Sequence, residues 1–272
     1  MMATRPRSYA CLAFGLTALI AAACAPAPVL DQGYELVFRE EFDDDQLDPL
    51  WQLPPWGNPL PPTAHDGVLT LRSRTANANT WGLVGSTGHR DRNGGGYPNA
   101  QAWQEGYFEA RIRYTDNRWV WAAFWLFSMA KTDAWPDEDC SQLNAEWDIM
   151  ENGIQNVDGS RPATHWSFSA LHRNTTDGTA DGYCGIPDVQ RTYGEHHPDK
   201  DLSDWHVWAG HWTEDEMCTY LDDVELRCME PYDSTHQPMH IVFSIDYLPR
   251  CNGCAPRPSE LVMQVDWVRV WQ

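Results

Sequence analysis

Three acids stand close together in an otherwise apolar run, Glu146-Trp147-Asp148-Ile149-Met150-Glu151. Paired carboxyl groups of this kind can serve as a nucleophile and as a general acid and base. In a regular strand side chains alternate faces, so Glu146, Asp148 and Met150 share one face and Glu151 points away. A one-residue bulge between Asp148 and Glu151 returns Glu151 to the face of the other two. The two glutamates then lie about four strand steps apart, roughly 13 Å between Cα atoms. Side chains leaning together bring the carboxyls toward the ~5–5.5 Å of a retaining glycosidase, short of the ~6.5–9.5 Å of an inverting one. The alternative is a solvated acidic edge. Against it, Trp147, Ile149 and Met150 mark a covered strand, and buried carboxylates without cations beside them are costly and tend to mark function.

Such a strand needs neighbours, and the rest of the chain supplies short aromatic and β-branched runs separated by Gly, Pro, Asn and Asp. Helical periodicity is hardly visible and there is no internal repeat or low-complexity tract, which predicts an all-β sandwich. Phe108-Glu109-Ala110-Arg111-Ile112-Arg113-Tyr114 alternates apolar with charged or polar, as a half-buried antiparallel strand does. From Trp119 to Phe127 the run is almost wholly apolar, and Trp119, Trp121, Ala123, Trp125 and Phe127 share one face. Residues 54–62, 93–99 and 184–201 are turn-rich and read as cleft-forming loops.

Several segments carry a resemblance to a known family. They are Phe38-Arg39-Glu40-Glu41-Phe42 with Leu47-Asp48 and Trp51, Gly106-Tyr107-Phe108-Glu109-Ala110-Arg111-Ile112, and Trp121-Ala122-Ala123-Phe124-Trp125-Leu126. They continue with Asp204-Trp205-His206-Val207-Trp208 and Trp212 leading into Tyr220-Leu221-Asp222, and close with Val265-Asp266-Trp267-Val268-Arg269-Val270. In this order, from about Gly33 to Gln272, they resemble glycoside hydrolase family 16, in the laminarinase/β-glucanase-like branch whose catalytic strand reads E-x-D-x-x-E. The resemblance implies an antiparallel jelly-roll β-sandwich, concanavalin-like, with a concave substrate groove. It implies Glu146 as nucleophile, Glu151 as general acid/base and Asp148 as the helper between them. It also implies an endo-acting hydrolase of β-1,3- or mixed-linked β-1,3/1,4-glucan. A family 16 hydrolase of agar or carrageenan, a transglycosylase, and a non-catalytic glycan-binding protein on the same fold are the competing readings. Two departures stand out: Trp147 replaces a small aliphatic residue, and Ser244 to Cys251 replaces a glycine-rich stretch.

Fifteen tryptophans is a high count for 272 residues. A flat indole buries the C–H face of a sugar while the hydroxyls stay hydrogen-bonded around it, although core packing explains most tryptophans. Trp125, Trp121 and Trp103 are assigned to the groove, on strands that the resemblance sets beside the catalytic one. Trp205, Trp208, Trp212 and Trp267 are assigned mainly to the core. His172 resembles the cleft histidine of the strand after the catalytic one, with His165 as its competitor; the other histidines, His196 and His197 included, read as surface. No residue spacing suggests a catalytic metal, so no cofactor is expected for catalysis. A structural Ca²⁺ on the convex face is implied for many family members, with Glu41 and Asp266 at matching positions; the alternative is two ordinary surface acids.

Arg5 and Arg7 precede an uncharged run from Ser8 to Val29, with Ala21-Ala22-Ala23-Cys24 near its end. This is a secretory signal over residues 1–24, followed by a tether over 25–32 and the catalytic domain over 33–272. Ile20 to Cys24 also resembles a bacterial lipobox that would lipidate Cys24, so export is either free or lipid-anchored, and any membrane contact is through that anchor. Losing Arg5 and Arg7 takes the net charge of -20 to about -22. That balance argues against nucleic acid and favours a neutral polysaccharide acted on by a monomer. Six cysteines, Cys140, Cys184, Cys218, Cys228, Cys251 and Cys254, follow in an exported chain and read as disulfides, with 15 pairings open. Cys218 and Cys228 flank a hairpin turn at Asp222-Asp223, Cys251 and Cys254 close a tight loop, and Cys140 is left for Cys184. A lone CxxC can also bind metal or act in redox chemistry.

Overall fold

The computed structural model describes residues 33–52, 60–74, 82–86, 101–128, 145–152, 164–173, 189–232, 235–248, 251 and 254–272. Cys24, Cys140, Cys184 and the segments 1–32, 54–59 and 93–99 lie outside the described residues. The strands follow in order as β1 (Leu36–Glu40), β2 (Trp51–Gln52), β3 (Thr63–His65), β4 (Val68–Arg74), β5 (Gly82–Ser86), β6 (Gly106–Tyr114), β7 (Val120–Ser128) and β8 (Ala145–Asn152). They continue as β9 (Trp166–Arg173), β10 (Val189–His196), β11 (His206–Trp212), β12 (Met217–Leu221), β13 (Val224–Met229), β14 (Met239–Tyr247) and β15 (Glu260–Trp271). No α-helix occurs among the described residues. The segment 184–201, read from sequence as loop, contains β10, whose residues pair one for one with β9 from Val189↔Arg173 to His196↔Trp166.

Two antiparallel sheets result: the sandwich that the strand pattern predicts, in the jelly-roll form that the family resemblance implies. One runs β13-β12-β11-β6-β15-β4-β3, with β1 on β15 as well, and the other runs β10-β9-β8-β7-β14-β5-β2. Alternation sorts the side chains. On β7 the even positions Val120, Ala122, Phe124 and Leu126 enter the core, and on β14 the odd positions Met239, Ile241, Phe243, Ile245 and Tyr247 do so. From the facing sheet come Leu69 and Leu71 of β4, Phe108, Ala110 and Ile112 of β6, Trp208 and Trp212 of β11, and Met263, Val265 and Val268 of β15. Burying a large apolar side chain contributes about 1.5–3 kcal/mol, so this interlayer dominates the stability of the fold.

The β12–β13 hairpin turns at Asp222 and Asp223, both with positive φ (49° and 65°). That is the backbone of a type I′ turn, whose twist matches the flanking strands and which aspartate tolerates better than most residues. Cys218 and Cys228 face each other in the register of this hairpin and are disulfide-bonded, as the symmetric spacing predicted. Cys251 and Cys254 also form a disulfide. Two tryptophan assignments change. Trp205 is only partly buried, outside the core, with the guanidinium groups of Arg111 and Arg113 within 4.8 and 4.7 Å of its ring. Trp267 is buried beneath the Arg269 guanidinium and stands apart from the main core cluster.

Candidate active site

The catalytic-type acids sit on β8, in the middle of the second sheet between β7 and β9. Pairing with β9 runs Glu146↔His172, Trp147↔Leu171 and Asp148↔Ala170, then resumes at Glu151↔Phe168. Three steps on β8 are therefore matched by two on β9. Against β7 the same slip falls between Trp125↔Asp148 and Phe124↔Met150, leaving Ile149 as the extra residue. This is the expected one-residue bulge. Ala145, Trp147, Ile149 and Met150 join the core, while Glu146, Asp148 and Glu151 turn toward the face carrying Trp121, Trp125 and His172. The bulge breaks period two so that two successive apolar residues, Ile149 and Met150, both pack inward.

Trp147 explains how a bulky residue is tolerated behind this strand. Its side chain is fully buried and reaches across the sandwich to Gly210 of β11, where a Cβ would lie 2.5 Å from Trp147 Cη2. The missing side chain at Gly210 makes the room that Trp147 fills.

On the outward face the polar groups converge. A carboxylate oxygen from each of Glu146 and Asp148 and a ring nitrogen of His172 lie within 4.8 Å of one another. His172 Nε2 is 3.4 Å from Asp148 Oδ2, and Asp148 is only 3% exposed. His172, and not His165, is the histidine at the acids; His165 Nδ1 lies 2.8 Å from the Lys200 carbonyl. Glu151 is 8% exposed and its Oε1 accepts a 2.8 Å hydrogen bond from Trp121 Nε1. Burial drives the Glu151 carboxyl well above the ordinary carboxylate range, and the negative charge of Asp148 adds to the rise; the bond from Trp121 opposes it, and Glu146 again adds. A carboxyl that keeps its proton thus stands beside carboxylates, the division of labour that acid-assisted displacement requires.

The aromatic residues divide. Trp121, Trp125 and Phe127 lie on the outward face of β7, with Trp125 Nε1 donating to Ser244 Oγ at 3.2 Å and Phe127 edge-on to both Trp125 and His240. Trp103 does not reach this face. It is 7% exposed in the core, exchanges two 2.9 Å backbone bonds with Met239 and packs on Phe38 and Phe108. Its indole is drawn inward because the lead-in to β6 crosses the sandwich there. Two groups beside the site, and one on the core side of β9, escaped sequence reasoning. Ser244 belongs to the segment that departs from the family pattern and holds Trp125. Phe168 and Trp166 lie at and beyond the position opposite Glu151, stacked with rings 21° apart. Period two on β9, counted from His172, would have found both. His197, read as surface, is buried and bonded to Ser167 Oγ through Nε2 at 2.8 Å.

The pair implied as calcium ligands does not fit a cation site. Glu41 is bound by Arg269 Nη2 at 2.8 Å, and Asp266 by Arg111 Nη1 at 2.7 Å. Each carboxylate is already paired with its own arginine, which opposes the charge a cation would need.

No family model matches the chain. Among curated proteins it is 28% identical to the "Beta-glucanase" of Rhodothermus marinus over 271 residues, which span 88% of this chain and 85% of that one. It is 25% identical to the "Endo-1,3-1,4-beta-glycanase EglC" of Rhizobium meliloti (strain 1021) over 232 residues, covering 83% of this chain but only 42% of that relative. Among solved structures, the fold matches a family 16 glycoside hydrolase from the mixed-linkage glucan locus of Bacteroides ovatus, solved with its G4G4G3G product. The TM-score is 0.65 at 19% identity, over 86% of this chain and 100% of that one.

Proposed function

We propose that the chain, similar in sequence to β-glucanases and in fold to glycoside hydrolase family 16 enzymes, is an endo-acting retaining glycoside hydrolase of that family, laminarinase- and β-glucanase-like. It cleaves β-1,3- or mixed-linked β-1,3/1,4-glucan by double displacement. The Glu146 carboxylate attacks the anomeric carbon while Glu151 passes its proton to the departing glycosidic oxygen, and the bond between that carbon and oxygen breaks. Glu151, now ionised, takes a proton from water as the water oxygen attacks the same carbon and frees Glu146 with retained configuration. Asp148 keeps the proton on Glu151 by repulsion and is itself held by His172. Trp125, pinned to Ser244, offers a flat face for a sugar ring. The chain works on the exported side of the membrane, as a freely secreted or lipid-anchored protein.

One observation carries this reading: a bulge at Ile149 puts a buried, proton-holding Glu151 on the same face as Glu146 and Asp148. The β-glucanase names of the sequence relatives support the choice of polymer. The test is hydrolysis of laminarin, lichenan, agarose and carrageenan by the purified protein, with product sizes recorded. Short oligosaccharides are expected from the glucans. Glu146→Gln and Glu151→Gln each lower the rate by about 10²–10⁴-fold; near-normal cleavage by either variant removes the mechanism.

A further inference from the structure

Trp121 carries a role beyond presenting an aromatic surface. It lies one diagonal step from Glu151 across the β7–β8 pair, because Ala123 is the residue directly opposite Glu151. From there its indole Nε1 reaches Glu151 Oε1 at 2.8 Å. An indole N–H donates and never accepts, so Oε1 is the acceptor in every charge state of Glu151. In a neutral carboxyl group the carbonyl oxygen is the stronger acceptor, and the proton then belongs to the other oxygen. We propose that Trp121 is a positioning residue for the glycosidase reaction, one that holds Glu151 Oε1 as acceptor and so places the transferable proton on Oε2.

The inference rests on the reading of Glu151 as acid/base, and it orders the proton's path. In the first displacement the proton leaves Oε2 for the glycosidic oxygen as that oxygen's bond to the anomeric carbon breaks and the Glu146 ester forms. The carboxylate left behind keeps its bond from Trp121, now charge-assisted and about twice as strong as a neutral one. Trp121 therefore stabilises the charge that develops on Glu151 during transfer. In the second displacement Oε2 takes a proton from water while the water oxygen attacks the anomeric carbon, and Oε1 stays tied throughout. The bond also keeps the buried carboxyl from turning away from the substrate face; among the described residues no other side chain donates to it.

Trp121→Phe removes the N–H and keeps an aromatic ring; benzothienylalanine at position 121, with sulfur in place of N–H, preserves the full indole shape should the first variant fold poorly. With either, kcat/KM on a β-glucan falls on the order of tenfold or more. On an aryl β-glycoside whose leaving group departs without a proton it stays within about threefold. The alkaline limb of the pH profile moves up by about one pH unit, because the lost bond favours the ionised form. Mere loosening of the site has the opposite sign: water reaching Glu151 removes part of the desolvation that raises it, and the limb moves down. An alkaline limb that stays put or moves down, or equal losses on both substrates, overturns the proposal. If the wild type cleaves no β-glucan, or Glu151→Gln keeps the wild-type rate, the acid/base reading itself has failed, and the proposal falls with it.

Discussion

Gly210→Ala tests the packing that supports the bulge. Gly210 has a φ outside the left-handed region, so alanine fits its backbone. On backbone grounds alone the substitution should stabilise the protein by about 0.4–1 kcal/mol. The side-chain layer gives the opposite sign. A Cβ there meets Trp147 Cη2 at 2.5 Å and Ile149 Cδ1 and Cγ1 at 2.9 Å, against an optimum of about 3.5–4.0 Å. Trp147 must therefore withdraw by about 1 Å, within a core that has no slack. Overpacking of this kind costs about 1–3 kcal/mol. Trp147 and Ile149 bracket Asp148, so the displaced layer also tilts the acids, and a misplacement near 1 Å can cost about 10²-fold in rate. Urea unfolding followed by tryptophan fluorescence, together with glucan hydrolysis, measures both effects. Trp147→Leu alone costs about 2–4 kcal/mol through the cavity it leaves. In the double variant Trp147→Leu, Gly210→Ala the new methyl group enters that cavity, so the combined cost falls short of additivity by at least about 1 kcal/mol. A neutral or stabilising Gly210→Ala, or strictly additive costs, would refute this account of the layer.

Two further expectations follow from titration. Because burial lets the folded state hold the Glu151 proton more tightly than the unfolded chain does, stability declines as pH rises from the ordinary glutamate range near ~4.3 toward the raised folded value. Glu151→Gln cannot ionise, so its urea midpoint gains on the wild type over that range and converges with it below about pH 4; a gap that is constant with pH would show that Glu151 titrates normally. Asp222 behaves in the opposite sense. Burial pushes it up, but hydrogen bonds from His206 Nδ1 at 2.8 Å, from Lys200 Nζ and from the Val207 N–H at 3.1 Å outweigh that and hold it at about 2. Its contribution is complete above about pH 4 and lost as pH falls through about 2, so Asp222→Asn costs about 1–2 kcal/mol at pH 7, after discounting for one-third exposure, and progressively less toward pH 2. An equal cost at both ends of that range would place the effect in packing and not in charge.

Local pattern carried much of this fold. Period two on β7 put Trp121 and Trp125 on one face and Val120, Ala122 and Phe124 on the other, because a strand has only two faces and one must be apolar. The failure of that period within Glu146 to Glu151 pointed to the bulge, since three acids could share a face only if one residue slipped. What stayed illegible was every fact about the opposite layer. Nothing near Trp103 in sequence tells that Met239 will take both its backbone bonds and draw the indole inward. Nothing near Glu41 announces Arg269, or near Asp266 announces Arg111, although those partners turn two apparent cation ligands into ion pairs.

The same limit explains Trp147. Read along β8, it is an oversized residue where the family resemblance leads one to expect a small one, and it looked like a threat to the catalytic strand. Its complement is a glycine on the facing sheet, visible only once β11 lies over β8. A bulge turns two successive side chains inward and so widens the core locally, and something must fill the extra width or the kink will straighten. Trp147, seated against Gly210 with Ile149 beside it, supplies that volume. The size departure and the geometry that gathers Glu146, Asp148 and Glu151 on one face are therefore a single structural fact, with the indole behind the sheet holding in place the kink that presents the acids in front of it.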